Sequence, residues 1–463
     1  MGAFLEGING AVGGCILPAA LFLLGYFFFF RLGCLAPRRG QKREKGALRA
    51  LCLSLSGTLG VGNVSGVALA IAVGGAGAVF WMWVSLPAAM ALKYAEVTLA
   101  AAHQREGKSG VAAYLSRMPG GRVLCPLFFS LCLLTAFFMG SMMQASAAAE
   151  TLEVFYRIPP ALTGAGLLLL TLPFALGGGQ RIAAFTEKLI PLLTFLYILI
   201  SFWVILPQFH RLPSLFARIF SDAFSPLSVG GGILGVLASP ALRQGVVRGL
   251  VSNEAGCGTA PMAHAAFSRG DPAARGRMGI WEVFVDTGVL CTLTALSILL
   301  AFDPIPEGGG IGLAVAAYAR GLGTLAVPFL SFSLVFFAWG TALCWVFYAE
   351  TCAAELLGGG KRGVRLAFCL SLLPGAVFAP SAVWGLSDLF LSLLCLLNLT
   401  ALFFYRREIL SFSTGAKKEG IRAMGGSRKK SGFRKCGWRS GSRHRTPPDG
   451  DTSPQRPCRS SPR

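Results

Sequence analysis

Gly57-Thr58-Leu59-Gly60-Val61-Gly62-Asn63-Val64-Ser65-Gly66 lies inside a hydrophobic run long enough to span a bilayer. Four glycines, two hydroxyls and an amide stand where lipid would favour Leu, Ile and Val. A lipid-facing helix cannot give up backbone hydrogen bonds there, because each orphaned group costs several kcal/mol. Such an interruption persists only when buried in protein or lining a cavity, where freed amides and carbonyls can hold a ligand. The stretch is therefore the first candidate for a transport site.

The rest of the chain fits a membrane setting. Of its 463 residues 54% are hydrophobic and only 14% charged, against roughly 25% charged in soluble domains. The first thirty residues lack a basic leader and are followed by Arg31, which favours a retained helix over a cleaved signal. Thirteen cysteines are scattered singly, with no Cys-x-x-Cys pair and four histidines in all. They read as small buried hydrophobes, not disulfides or metal ligands, and no cofactor is expected. Of the net charge of +21, +11 lies from Ser411 onward (14 Lys+Arg, 3 Asp+Glu). That tail is rich in Gly, Ser and Pro and reads as disordered. It offers no aromatic platform for nucleic acid, so weak attraction to anionic lipid is the expected consequence.

Hydropathy predicts an all-α polytopic protein with about eleven spans: 11–30, 48–72, 77–101, 123–148, 161–177, 188–206, 229–251, 279–302, 324–348, 364–383 and 385–405, each near the roughly 20 residues that cross hydrocarbon. Lys and Arg crowd alternate loops. Arg31, Arg38, Arg39, Lys42, Arg43, Lys45 and Arg49 follow the first span, and Arg105, Lys108, Arg117 and Arg122 follow the third. The intervening loops hold Arg157, Arg211, Arg218 and Arg320. The positive-inside rule then sets the amino terminus outside and the carboxyl terminus in the cytoplasm of a cell inner membrane. Spans two to six and seven to eleven become two five-helix sets of opposite orientation. The first helix of each is interrupted, at residues 57–66 and at Gly230-Gly231-Gly232 through Pro240. Paired breaks in two halves point to a secondary transporter built on an inverted five-plus-five repeat. The expected divisions are 1–46 (extra helix and basic loop), 47–206 and 207–405 (the two repeats), and 406–463 (the basic tail).

At this point the chain resembles the alanine or glycine:cation symporter family. The signature is Gly74-Gly75-Ala76-Gly77-Ala78-Val79-Phe80-Trp81-Met82-Trp83-Val84, continuing to Lys93-Tyr94-Ala95-Glu96-Val97-Thr98-Leu99-Ala100. Further matches are Gly177-Gly178-Gly179-Gln180-Arg181-Ile182, then 248–261 (Arg248-Gly249-Leu250-Val251-Ser252-Asn253-Glu254-Ala255-Gly256-Cys257-Gly258-Thr259-Ala260-Pro261), then Asp286-Thr287. The resemblance covers roughly residues 1–405. It implies a fold similar to the neurotransmitter:sodium symporters and uptake of alanine or glycine with sodium, with no protein partner required.

An amino acid carboxylate needs several donors, and unwound amides at a half-helix start supply them with a favourable dipole. Thr58, Leu59, Gly60, Val61 and Gly62 offer amides, and Asn63 both a donor and an acceptor. Gln144 in span four must find a partner in its apolar helix, either substrate or a neighbouring helix. By analogy with the related fold, sodium draws oxygens from Gly57, Thr58 and Gly60 and from Gly340 and Thr341 of span nine. Gly340 stands where the family tends to carry a second hydroxyl, and Ser146 where it tends to carry Asn. Of the carboxylates Glu96, Glu187, Glu254, Asp286 and Glu350, four fall near expected helix ends, where caps or salt bridges are the simpler reading. Asp286 is the deeper one and would carry the proton if coupling were to protons. Arg248, Asn253 and Glu254 are a candidate gate. A passive channel would need a continuous polar stripe, and a membrane enzyme a nucleophile–base pair; the sequence displays neither.

Overall fold

A computed structural model describes residues 11–32, 46–104, 110–224, 245, 252–306, 310–378 and 380–412. Among them secondary structure is helical throughout, as a backbone that must satisfy itself in hydrocarbon requires. The elements that frame the site are α1 (Val12–Leu32), α2 (Ala47–Thr58), α3 (Ser65–Gly74), α4 (Gly77–His103), α5 (Gly121–Tyr156) and α6 (Pro160–Ile205). They continue with α7 (Leu212–Ala223), α8 (Ala260–Phe267), α9 (Pro272–Ala301), α10 (Gly310–Leu322), α11 (Ala326–Leu357), α12 (Lys361–Val377) and α13 (Pro380–Phe404). By length and composition seven helical stretches among the described residues can cross a membrane, or eight when the bent pair at 47–74 is taken as one span.

Several expected spans meet a different local geometry. The spans placed at 161–177 and 188–206 are the two helical halves of α6, which lie on either side of a kink at Gly178, whose φ of 76° only glycine adopts readily. The span placed at 324–348 runs on to Leu357 and is preceded by α10, which hydropathy alone passed over. The span placed at 229–251, with its break at Gly230 to Pro240, lies outside the described residues except for Gly245, and Arg248 lies outside them too.

Burial sorts the helices into centre and periphery. In α4 and α9 about two thirds or more of the apolar window is buried, 67% and 72%, against 39% in the stretch that contains α6. The outer face of α6 exposes Leu162, Leu169, Leu192, Phe195, Phe202 and Trp203, an apolar stripe suited to lipid. The central pair approach closely through small residues, as membrane helices do. A Cβ on Gly279 would stand 2.8 Å from Lys93 Cγ, and one on Gly276 would overlap the Thr98 hydroxyl.

Candidate functional site

The quoted stretch folds as a break between two half-helices. α2 ends at Thr58, a 3-10 turn covers Val61–Asn63, and α3 leaves at 64° to α2. Leu59 (ψ 76°) and Gly60 (φ −121°, ψ −157°) take the chain out of helical geometry. Gly60 N donates to Thr58 O (2.8 Å) and to Asn63 Oδ1 (3.2 Å). The amides opening a new helix lack intrahelical acceptors, so this turn presents donors with the positive end of a dipole behind them.

α5 and α11 close on that break. Thr341 Oγ1 lies 3.0 Å from Ser56 O and 3.2 Å from Leu59 O, so three oxygens converge where α2 unwinds. Gln144 donates from Nε2 to Met139 O (3.1 Å), while its buried Oε1 has no hydrogen-bond partner. A Cβ on Gly60 would sit 3.0 Å from Thr341 Oγ1 and 3.1 Å from Gln144 Oε1, so any side chain there would push one of the two away from the break. Gly57 meets Cys344 in the same way, at 3.0 Å from Sγ, and serves helix packing as well.

A cavity of about 50 Å³ opens here, lined by Gly57, Thr58, Gly60, Gly62, Gln144 and Thr341 among the expected residues. At about 10–15 Å³ per water on this scale, it holds roughly three to five waters or a solute of similar size. Its remaining wall includes residues that sequence reasoning passed over: Met139 and Met143, Ser252, and Trp384, Asp388 and Leu391 of α13. The apolar ones carry no signal that separates a cavity wall from a packed core. Asp388 did carry one, as a charge in an apolar run.

Leu59, Val61 and Asn63 do not line the cavity; they are 1%, 0% and 2% exposed. Asn63 points to Asp286 on α9, donating from Nδ2 to Oδ1 at 2.7 Å. Asp286 Oδ2 accepts from Thr287 Oγ1 (2.9 Å), and Asn253 Nδ2 reaches that same hydroxyl at 3.1 Å. Residues 252–259 form a second non-helical passage, ahead of α8, and Ser252 Oγ would be 3.5 Å from a Cβ on Gly62. Asp286 thus bridges two unwound segments. Phe284–Cys291, which carries it, is π-helical, as is Ala136–Met143 just before Gln144; such segments often mark functional positions.

Gly340 lies toward α6, 3.4 Å from Ile190 Cδ1 for an added Cβ, and contributes no side-chain oxygen. In the candidate gate, Asn253 Oδ1 accepts from Ala255 N (3.0 Å) and Glu254 Oε2 from Thr259 Oγ1 (2.7 Å). Glu187 and Glu350 fit the salt-bridge reading, paired at 2.7 Å with Arg49 and Arg365 respectively. Glu96 and Glu254 are more deeply placed. They are 0% and 1% exposed and enclosed with Lys93 and Glu282, where α4 and α9 pack closely.

The profile of the sodium:alanine symporter family matches residues 2–415. The chain belongs to that family. An uncharacterized transporter from Haemophilus influenzae is 33% identical over 433 residues, 88% of this chain and 95% of that one. The sodium/alanine symporter AgcS of Methanococcus maripaludis is 33% identical over 377 residues, 78% and 82% of the two chains. Among solved structures, a point mutant of the Eremococcus coleocola manganese transporter aligns at a TM-score of 0.51 and 16% identity, over 82% of this chain and 89% of that one. That likeness concerns the fold alone. This sodium:alanine symporter family member is a multi-pass membrane transporter, not an enzyme, and its class of activity is cation-coupled amino acid symport.

Proposed function

We propose that the protein takes up a small neutral amino acid, alanine or glycine, together with sodium. It does so by alternating access of the broken helices against their scaffold. The observation that carries this reading is the small cavity at the α2–α3 break, walled by Gly60, Gln144 and Thr341. The substrate carboxylate would face the amides at the start of the 3-10 turn. Gln144 Oε1, buried and without a partner, is an acceptor of the kind an ammonium group needs. Glycine at 57, 60 and 62 and the methionines opposite leave little room beyond a methyl side chain.

For sodium, the convergence of Thr341 Oγ1 with the Ser56 and Leu59 carbonyls supports a site at the unwound end of α2. With an ion present, the hydroxyl turns its proton away and offers a lone pair. The proposed set of Gly57, Thr58, Gly60, Gly340 and Thr341 is accordingly centred on Thr341, with the Ser56 and Leu59 carbonyls added. A second reading, proton coupling, is favoured by Asp286, the carboxylate that ties the two unwound segments together. A passive facilitator has no comparable observation behind it. We further propose an amino terminus outside, a cytoplasmic carboxyl terminus, and repeats at 47–206 and 207–405 in an inner membrane, with 1–46 and the tail 406–463 outside the repeats. Neither nucleic acid nor a protein partner enters the cycle.

Calorimetric titration of the purified full chain tests the site. Alanine is expected to bind in sodium and to bind at least tenfold more weakly when choline replaces it. In Thr341→Val the sodium concentration for half-maximal binding should rise about tenfold, which corresponds to about 1.4 kcal/mol. Alanine binding that ignores both changes would contradict sodium coupling at this position.

A further inference from the structure

The Lys93–Glu96 pair of the signature run has no part in the cavity, yet it anchors a fully enclosed ionic cluster. Lys93 Nζ lies 3.1 Å from Glu282 Oε1 on α9 and 3.7 Å from Glu96 Oε1, and donates to the Glu254 carbonyl at 3.3 Å. Glu96 Oε2 accepts from Gly258 N (3.0 Å) and from Asn398 Nδ2 (3.2 Å). His264 Nε2 on α8 stands 3.6 Å from Glu282 Oε2. The five side chains are 0–1% exposed.

Their charges do not balance. One ammonium is enclosed with three carboxyl groups, those of Glu96, Glu254 and Glu282, which leaves −2 when all are ionised and −1 when His264 is also protonated. Among the described residues the other buried groups nearby bring no cation to them. Tyr114 is spent on Asn398 Oδ1 at 2.5 Å, Tyr348 and Cys344 of α11 and Cys257 are uncharged when protonated, and Arg275 directs Nη1 and Nη2 to Gln104 Oε1 and the His264 carbonyl. Glu254 Oε1, Glu96 Oε1 and both Glu282 oxygens are buried without a hydrogen-bond partner, but of the three Glu282 alone has a basic nitrogen facing each oxygen, Lys93 Nζ and His264 Nε2. A buried charge left uncompensated is so costly that the group takes up a proton instead. Two of the carboxyls are held by the unwound passage 252–259, where Glu254 (φ 52°), Gly256 (φ 83°) and Gly258 (φ 80°) adopt left-handed backbone.

We propose that this cluster is a proton site of the transporter. At neutral pH one carboxyl group, that of Glu254 or Glu96, holds a proton. In each transport cycle the proton passes to water on one face of the membrane when the 252–259 passage shifts, leaving a carboxylate, and a proton from the other face replaces it, so that one proton crosses per cycle. The exchange half of this proposal rests on the transport reading above; the buried proton does not.

Infrared difference spectra of the full chain in lipid, recorded as pH is raised from about 5 to about 9, report the C=O stretch of protonated carboxyl groups. A protonated-carboxyl band present at neutral pH is expected, and Glu254→Gln or Glu96→Gln should remove it. Should a glutamine variant fail to fold, Glu254→Asp and Glu96→Asp serve, shifting the band instead of deleting it. A band indifferent to substitution at both positions, or no band at neutral pH, overturns the site. In proteoliposomes with a trapped pH dye, alanine should change the lumenal pH in the wild type and not in the variant that lacks the band. Alanine uptake with no pH change overturns the exchange. Absence of uptake contradicts the transport reading instead, and the infrared result still decides the proton site.

Discussion

Gly60 is the residue on which the site turns. Its missing side chain lets Thr341 and Gln144 approach the break to about 3 Å from where a Cβ would stand. Gly60→Ala is therefore expected to reduce alanine uptake at least tenfold while the protein still inserts and purifies, and undiminished uptake would remove Gly60 from the site. Asn63 stood out in the sequence beside Gly60, as an amide in an apolar run, yet its role differs. It spends Oδ1 on Gly60 N and Nδ2 on Asp286, so it holds the break in shape from behind. Asn63→Ala should abolish uptake and also lower stability by about 1.5–3 kcal/mol, the range for a hydrogen bond to a charged group, read by thermal unfolding. Polar residues of the site were legible because lipid-spanning sequence makes them conspicuous. Met139, Met143, Trp384 and Leu391 were not, since an apolar side chain reads alike whether it faces lipid, core or cavity.

At the scale of elements, hydropathy located the long apolar helices to within a few residues at most of their ends. It missed α7 and α10, which are short and carry Arg218 and Arg320. The kink at Gly178 falls at the expected boundary between the spans at 161–177 and 188–206. Among the described residues the second unwound passage lies at 252–259, inside a motif the resemblance had picked out; the break expected at Gly230 to Pro240 lies outside them. Conformation there comes from what surrounds it: Glu96, Asn398 and Thr287 bond its backbone and side chains, and no local pattern encodes partners so far away in sequence. The α4–α9 crossing makes a prediction of its own. Gly276→Val would drive a branched side chain into Thr98 and Tyr94, so it should destabilise the protein by about 1–3 kcal/mol or more. A fall in melting temperature, with lost uptake, is the expected result; a wild-type melting temperature would show that the two helices can separate without cost.

For the whole molecule, family membership and the described helices agree on a multi-pass transporter, while orientation rests on the distribution of Lys and Arg. A membrane-impermeant thiol probe added outside intact cells should leave Cys436 and Cys458 unmodified, and modify them once the cytoplasmic face is opened. Labelling from outside would reverse the orientation. The class of fold was readable because the bilayer constrains backbone more severely than water does. Coupling was less readable, because the oxygens that gather at Thr341 are main-chain carbonyls, which every residue owns. The most direct measurement is uptake of radiolabelled alanine and glycine by proteoliposomes of the purified chain, with and without an inward sodium gradient. The account predicts accumulation that requires the gradient and collapses when sodium is equal on both sides. No uptake above protein-free liposomes under any cation gradient would contradict it.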